Sequence, residues 1–211
     1  IDQRNAGASV TASATGQWVY TLDRWSYTAS QASKFTVQQN AGSVTPPAGF
    51  SSYLGVTSSS SYTSVSGDYF WIGQQIEGLN TADLAWGTAN AKTVTLSFWV
   101  RSSLTGSFGG SIVNSAQNRS YPFSYTISSA NTWTQISITI PGDTSGTWLT
   151  TNGIGMRVQI NLGTGTTYSG PAGVWAGQEY ESATGSVSVL GTSGATFYIT
   201  GVQLEVGSTA T

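Results

Sequence analysis

Hydrophobic and polar residues alternate with a period of two along several stretches of the chain, which is the spacing of a half-buried β-strand. From Thr93 to Ser102, Val94, Leu96, Phe98 and Val100 fall on one face, with Thr95, Ser97, Trp99 and Arg101 on the other. From Thr134 to Ile140, Ile136, Ile138 and Ile140 oppose Gln135, Ser137 and Thr139, and Pro141-Gly142-Asp143 ends the pattern. The longest alternation runs from Gly153 to Gly163 and sets Ile154, Met156, Val158, Ile160 and Leu162 against Gly155, Arg157, Gln159 and Asn161. One apolar and one wetter face per strand is the signature of antiparallel sheets packed face to face.

Weaker patterns predict further strands over Trp18–Tyr27, Lys34–Gln39, Ser52–Ser58, Asp68–Glu77, Tyr121–Ser128, Gly185–Leu190 and Ala195–Val206. In the last, Phe197 and Ile199 share one phase and Val202, Leu204 and Val206 the other, so Gly201 between them reads as a bulge; Gly73 invites the same reading. The one helix signal is Asn80 to Gly87, with a cap-like Asn or Thr, an early Asp and a closing Gly, enough for a single turn. Residues 163–184 form the longest stretch without periodicity, and unpatterned loops beyond about 12–15 residues are usually functional or disordered. Trp175, Tyr168 and Tyr180 argue for order. These elements define an all-β chain: a two-sheet antiparallel jelly-roll β-sandwich with long loops and at most one short helical turn, one unit over residues 1–211.

Composition narrows the chemistry. The 211 residues include no His and no Cys, which removes Ser–His–Asp triads, imidazole bases, thiolate nucleophiles and the usual zinc sites. Seven Lys+Arg against nine Asp+Glu leave a formal charge of −2, without the basic stripe that nucleic acid requires. No apolar run approaches the ~20 residues of a membrane span. Ser and Thr together number 62, alongside 8 Trp and 10 Tyr, a mixture suited to pleated surfaces and turns.

Several segments, in order, resemble a domain common in phage tail-fibre and tail-spike proteins: Asp2-Gln3-Arg4-Asn5-Ala6-Gly7, Tyr20-Thr21-Leu22-Asp23-Arg24-Trp25 and Gln75-Ile76-Glu77-Gly78. Lys92 to Val100, Asn131-Thr132-Trp133 and Ile140 to Thr144 continue the likeness, which is most specific over Phe197 to Gly207. Such domains look like jelly-roll carbohydrate-binding modules of the galactose-binding type. The resemblance implies a virion or prophage-derived particle adhering to host-surface glycan, often on a trimeric fibre from which this domain is one excised piece. It transfers no catalytic motif and no ligand residue.

Sugars offer apolar C–H faces to aromatic rings and hydroxyls to planar polar groups, which selects candidate sites. Trp99 and Arg101 on one strand, with Arg157, Gln159 and Asn161 on another, line a shallow groove if the two strands share a sheet; otherwise Trp99 covers the core. Within the long loop, Trp175, Gln178, Glu179, Tyr180 and Glu181 form a second candidate, unless Trp175 plugs one end of the sandwich. Trp71 and Trp86 read as core. Glu179 and Glu181, two apart, share a face if extended; a glycosidase needs two carboxyl groups about 5–10 Å apart, whereas loop acids are mostly solvated. Asp2 and Glu205 are the candidates for a structural Ca²⁺, if the terminal strands meet. The expectation is a non-catalytic glycan-binding domain, in a virion tail fibre or otherwise extracellular, without cofactor or membrane insertion. The alternatives are a structural decoration or fibre-assembly domain and a polysaccharide depolymerase.

Overall fold

The computed structural model describes residues 3–211. In chain order the strands are β1 (Val10–Thr11), β2 (Val19–Tyr20), β3 (Ser26–Ala29), β4 (Phe35–Gln39), β5 (Leu54–Ser58), β6 (Tyr69–Glu77), β7 (Val94–Ser102), β8 (Gly106–Asn114), β9 (Ser120–Ile127), β10 (Thr134–Ile140), β11 (Ile154–Thr164), β12 (Ser169–Gly170), β13 (Ser182–Ala183) and β14 (Thr196–Val206). Two six-stranded antiparallel sheets form, in the orders β1-β4-β5-β14-β7-β10 and β2-β3-β6-β11-β8-β9, with β12 and β13 as a small parallel pair. The molecule is therefore the expected all-β jelly-roll sandwich. Its helical elements, among the described residues, are short 3₁₀ turns; the turn read at Asn80–Gly87 is resolved into Gly78–Asn80 and Ala82–Leu84.

The inward halves of the alternations interleave. Val94, Leu96, Phe98 and Val100 of β7 face Met156, Val158, Ile160 and Leu162 of β11 across a core that also holds Phe35, Phe70, Ile72, Phe108, Phe123 and Phe197. Each such side chain contributes about 1.5–3 kcal/mol when removed from water. The bulge at Gly201 is present: pairing of β14 with β7 slips between Thr200 and Gln203, and Gly201 has φ 62. Gly73 is not a bulge. It pairs in register with both neighbours, and a Cβ there would lie 2.3 Å from the Val158 carbonyl, so the glycine permits close strand approach.

Two sequence expectations fail. Gly185–Leu190 is not a strand: it is a turn leading into the 3₁₀ turn Val189–Gly191, and its apolar residues Val189 and Leu190 close the core. Conversely, β8 lies in Gly106–Asn114, where no strand was expected because glycine and serine dilute the pattern. Its glycines are required sterically: a Cβ on Gly109 would meet Ser186 Oγ at 2.3 Å, and one on Gly110 the Gln159 carbonyl at 2.3 Å.

Both outer sheet faces are partly covered. On the first sheet, Tyr198 packs with Tyr53 and Ala41, and Trp133 leans on them while donating its indole N–H to Thr45 O at 2.9 Å. On the second, residues 165–188 cross as a strap, anchored by Glu181 N–H to Tyr168 O at 2.8 Å, Thr184 N–H to Gly170 O at 2.8 Å and Val187 N–H to Ser107 O at 2.8 Å.

Candidate functional site

The outward residues of the second sheet and the strap enclose a recess of about 240 Å³. Its floor is built by alternation: Phe70 and Ile72 of β6 and Val158 of β11 point into the core, so Tyr69, Trp71 and Arg157 point the other way. Trp18, just before β2, forms one wall, its ring centroid 4.2 Å from that of Trp71 with the planes tilted by 55°. The Arg157 guanidinium lies 5.6 Å from the Trp18 ring centroid. Tyr168 meets Tyr69 edge-on at 5.2 Å.

The strap supplies the acids. Ser120 Oγ donates to Gln178 O at 2.6 Å and accepts from Tyr180 N–H at 3.0 Å, which fixes the chain so that Glu179 and Glu181, two residues apart, both line the recess. Gln117, in the left-handed region at the β8–β9 turn with φ 56, donates its amide to Glu179. Glu181 is 3% exposed, so the solvated-acid expectation fails for it.

Polar groups beneath the recess lack partners. Arg157 Nε and Nη1, Trp71 Nε1, both polar atoms of Gln159 and one carboxyl oxygen of Glu181 are buried without a hydrogen bond. An unmet buried polar group costs about 1–3 kcal/mol. Burial drives the Glu181 carboxyl from an ordinary 4.5 up to about 8; the Trp71 indole N–H, turned toward it without a well-formed hydrogen bond, opposes this, Glu179 adds to it and Arg157 opposes it. Glu179 is also raised by burial, against the pull of Gln117 and Arg157. Burial lowers Arg157, while the two glutamates pull it back. The recess thus brings together a guanidinium, a carboxyl held by an amide, and a second carboxyl that burial pushes toward its protonated form, between aromatic walls.

The sequence-selected residues separate and regroup. Trp99 and Arg101 lie on β7 of the first sheet and Arg157, Gln159 and Asn161 on β11 of the second, so the shared groove does not exist. Arg101 donates to Asn131 O at 2.9 Å and sits 5.6 Å from the Tyr198 ring centroid, and Trp99 is half-buried. The face of β11 expected to be wet is covered by the strap: Arg157, Gln159 and Asn161 are 8%, 0% and 2% exposed. Asn161 accepts from Thr164 Oγ1 at 2.6 Å. Arg157 instead joins Glu179 and Glu181, merging halves of the two expected sites.

Trp175 is not in the recess. It plugs one end of the sandwich, donating to Pro141 O at 2.8 Å and meeting Trp86 at 5.3 Å, Trp148 at 5.6 Å and Tyr121 at 5.1 Å. Arg119 closes that plug with a two-pronged contact to buried Asp143, at 2.8 and 2.6 Å. Gln178 is exposed, and Tyr180 packs over Gly170, where a Cβ would lie 2.2 Å from its ring. Trp86 is core as expected, whereas Trp71, equally buried, points into the recess. Trp18, Tyr69, Tyr168 and Gln117 had not been selected; Trp18 and Trp71 share the outward phase of their strands, a signal available once the strands are paired. Glu205 accepts from Thr211, which holds its carboxyl below the usual range, and Asp2 lies outside the described residues. Among the described residues no group of three or more His, Cys, Asp or Glu is placed to hold a metal ion.

No family model and no curated protein matches the chain. Among solved structures, the chain is similar to the enzymatically active domain of tailspike protein 4 from bacteriophage CBA120, with 13% identity, TM-score 0.48, and coverage of 87% of this chain and 19% of that one. It is similar to a CBM4 structure at 14% identity and TM-score 0.43, over 74% of this chain and 71% of that one. It is also similar to the family 11 carbohydrate-binding module from Clostridium thermocellum in complex with a β-1,3-1,4-mixed-linked tetrasaccharide, at 13% identity and TM-score 0.42, over 95% and 96%.

Proposed function

We propose that this domain binds carbohydrate without transforming it, and that the recess between Trp18, Trp71, Arg157 and the strap is where it does so. One observation carries this reading: an aromatic-walled hollow gathers Arg157 and two glutamates, and atoms of Arg157, Trp71 and Glu181 beneath it make no hydrogen bond within the protein. Hydroxyls of a sugar ring can accept from Arg157 and donate to Glu179, while its C–H face meets Trp18. At about 240 Å³ the recess is smaller than the roughly 300–1,000 Å³ of drug-sized sites, which suits one ring of a longer chain. With the tail-fibre resemblance of the sequence, the role proposed is adhesion of a phage or prophage-derived fibre to host-surface glycan, with weak sites multiplied by several copies on one particle. A wide array of bacterial surface glycans tests it. Retention of a subset, lost in Trp18→Ala, is expected; a silent array removes the reading.

The acid pair lining the recess favours a second reading, cleavage of the bound chain. Water would attack the anomeric carbon as the glycosidic C–O bond breaks, with Glu181 giving its proton to the leaving oxygen and Glu179 taking one from the water. New reducing ends from an array-positive glycan, absent with Glu181→Gln, would establish it; a bound and uncut glycan would dismiss it.

A further inference from the structure

The recess holds one cation and two acids. Arg157 is the one Lys or Arg that lines it among the described residues, and its guanidinium is already placed toward the Trp18 ring, 5.6 Å from the centroid. Against it stand Glu179, half-buried and receiving a neutral amide from Gln117, and Glu181, 3% exposed with one oxygen free of any hydrogen bond. The acids also act on the rings beside them. Burial is the larger cause that holds the Tyr69 and Tyr168 hydroxyls above their usual range, and both glutamates push them the same way.

Ring faces and carboxylates together select a cation, the first through the quadrupole of the ring and the second through charge. A sugar bearing hydroxyls alone meets the rings and leaves the surplus acid without a counter-charge. A uronic acid adds a third negative group and is repelled. An amino sugar with an unacylated amine brings an ammonium, a group that donates and does not accept, to a site where carboxyl groups outnumber cations by one. Burial drives the Glu181 carboxyl toward its protonated form, Trp71 opposes this, Glu179 adds to it and Arg157 opposes it; an added ammonium acts in the same sense as Arg157.

We infer that the recess selects an amino sugar whose amine is unacylated and protonated, with the ammonium set against Glu179 and the rings of Tyr69 and Tyr168. This rests on the glycan-binding role proposed for the recess, and the test separates the two. Wild type, Glu179→Gln, Asp83→Asn and Trp18→Ala are compared on an array printed in pairs that differ only by N-acetylation of one hexosamine. Wild type is expected to retain the free-amine member about tenfold better, with the difference shrinking in high salt. Glu179→Gln, close to isosteric and expected to unfold at nearly the wild-type temperature, should bring the two members level. Trp18→Ala should lose both. Asp83→Asn removes the same charge from an exposed position outside the recess and should keep the preference, which separates selection by the recess from attraction to a chain of net charge −2. Equal retention of each pair by wild type, a preference that survives Glu179→Gln, or one lost just as fully in Asp83→Asn overturns the inference. If wild type holds both members alike and Trp18→Ala holds neither, the recess stands and the amine selection falls; if wild type binds nothing, both fall.

Discussion

Two clusters in this molecule use the same kinds of residue to opposite ends. At the plug, Arg119 grips Asp143 with two N–H groups, and the Trp148 indole N–H and Ser145 N–H donate to the same carboxylate at 3.2 and 3.0 Å. Trp175 and Trp86 pack around it, and the donors and acceptors are matched. In the recess, Arg157, Glu181, Trp71 and Trp18 repeat the inventory, yet two guanidinium nitrogens, the indole N–H and a carboxyl oxygen make no well-formed hydrogen bond. A matched buried cluster contributes to stability; an unmatched one lowers it unless water or a ligand completes it. The contrast is what supports the recess, rather than the plug, as the proposed binding site.

Breaking the matched cluster should cost the most. Asp143→Ala strands Arg119 and the Trp148 N–H, and should lower stability by about 3–5 kcal/mol, roughly 10 °C in Tm, as read by thermal unfolding. The mirror change in the recess, Arg157→Met, removes a cation with no saturated partner, so Tm should shift by no more than about 3 °C while glycan retention is lost. Equal losses of stability in the two variants would dissolve the comparison.

Proton linkage sharpens it further. Glu181 has a folded pKa of about 8 against an ordinary 4.5, so the folded state binds the extra proton between those values. Stability from this group is complete below about 4.5 and is lost as pH rises through 8, so Tm should fall by several degrees between pH 5 and 8. Glu181→Gln should flatten that slope. Asp68 makes the opposite case: burial pushes it up, but hydrogen bonds from Tyr62, Val65 N–H and Ser30 outweigh this and leave it below the usual range. Its contribution is present above the ordinary carboxylate value and fades as pH falls, so Asp68→Asn should steepen no alkaline loss. The smallest expected effect is Gln117→Ala: it removes an exposed amide from Glu179, costing no more than about 0.5 kcal/mol and weakening glycan retention a few-fold.

The fold was legible because burial imposes period two on β6, β7, β10, β11 and β14, and because a parity break and a glycine coincide at Gly201. β8 was not legible, since its glycines answer to Ser186 and to the Gln159 carbonyl, neighbours far away in sequence. The site was half legible. Arg157, Glu179 and Glu181 were singled out, but their meeting depends on which strand β11 pairs with and on how Ser120 pins the strap. A polar strand face reads as wet in one dimension, and a covering loop reverses that. Trp175 shows the converse: its composition suggested recognition, while its neighbours Trp86, Trp148 and Tyr121 make it a plug.

The most direct measurement is isothermal titration of wild type and Arg157→Met with the glycan best retained on the array, alongside their thermal unfolding. The account predicts saturable heat for wild type and none for the variant, at nearly equal Tm. Undiminished binding by Arg157→Met would contradict it, because the guanidinium left unpartnered in the recess would then have no ligand to answer.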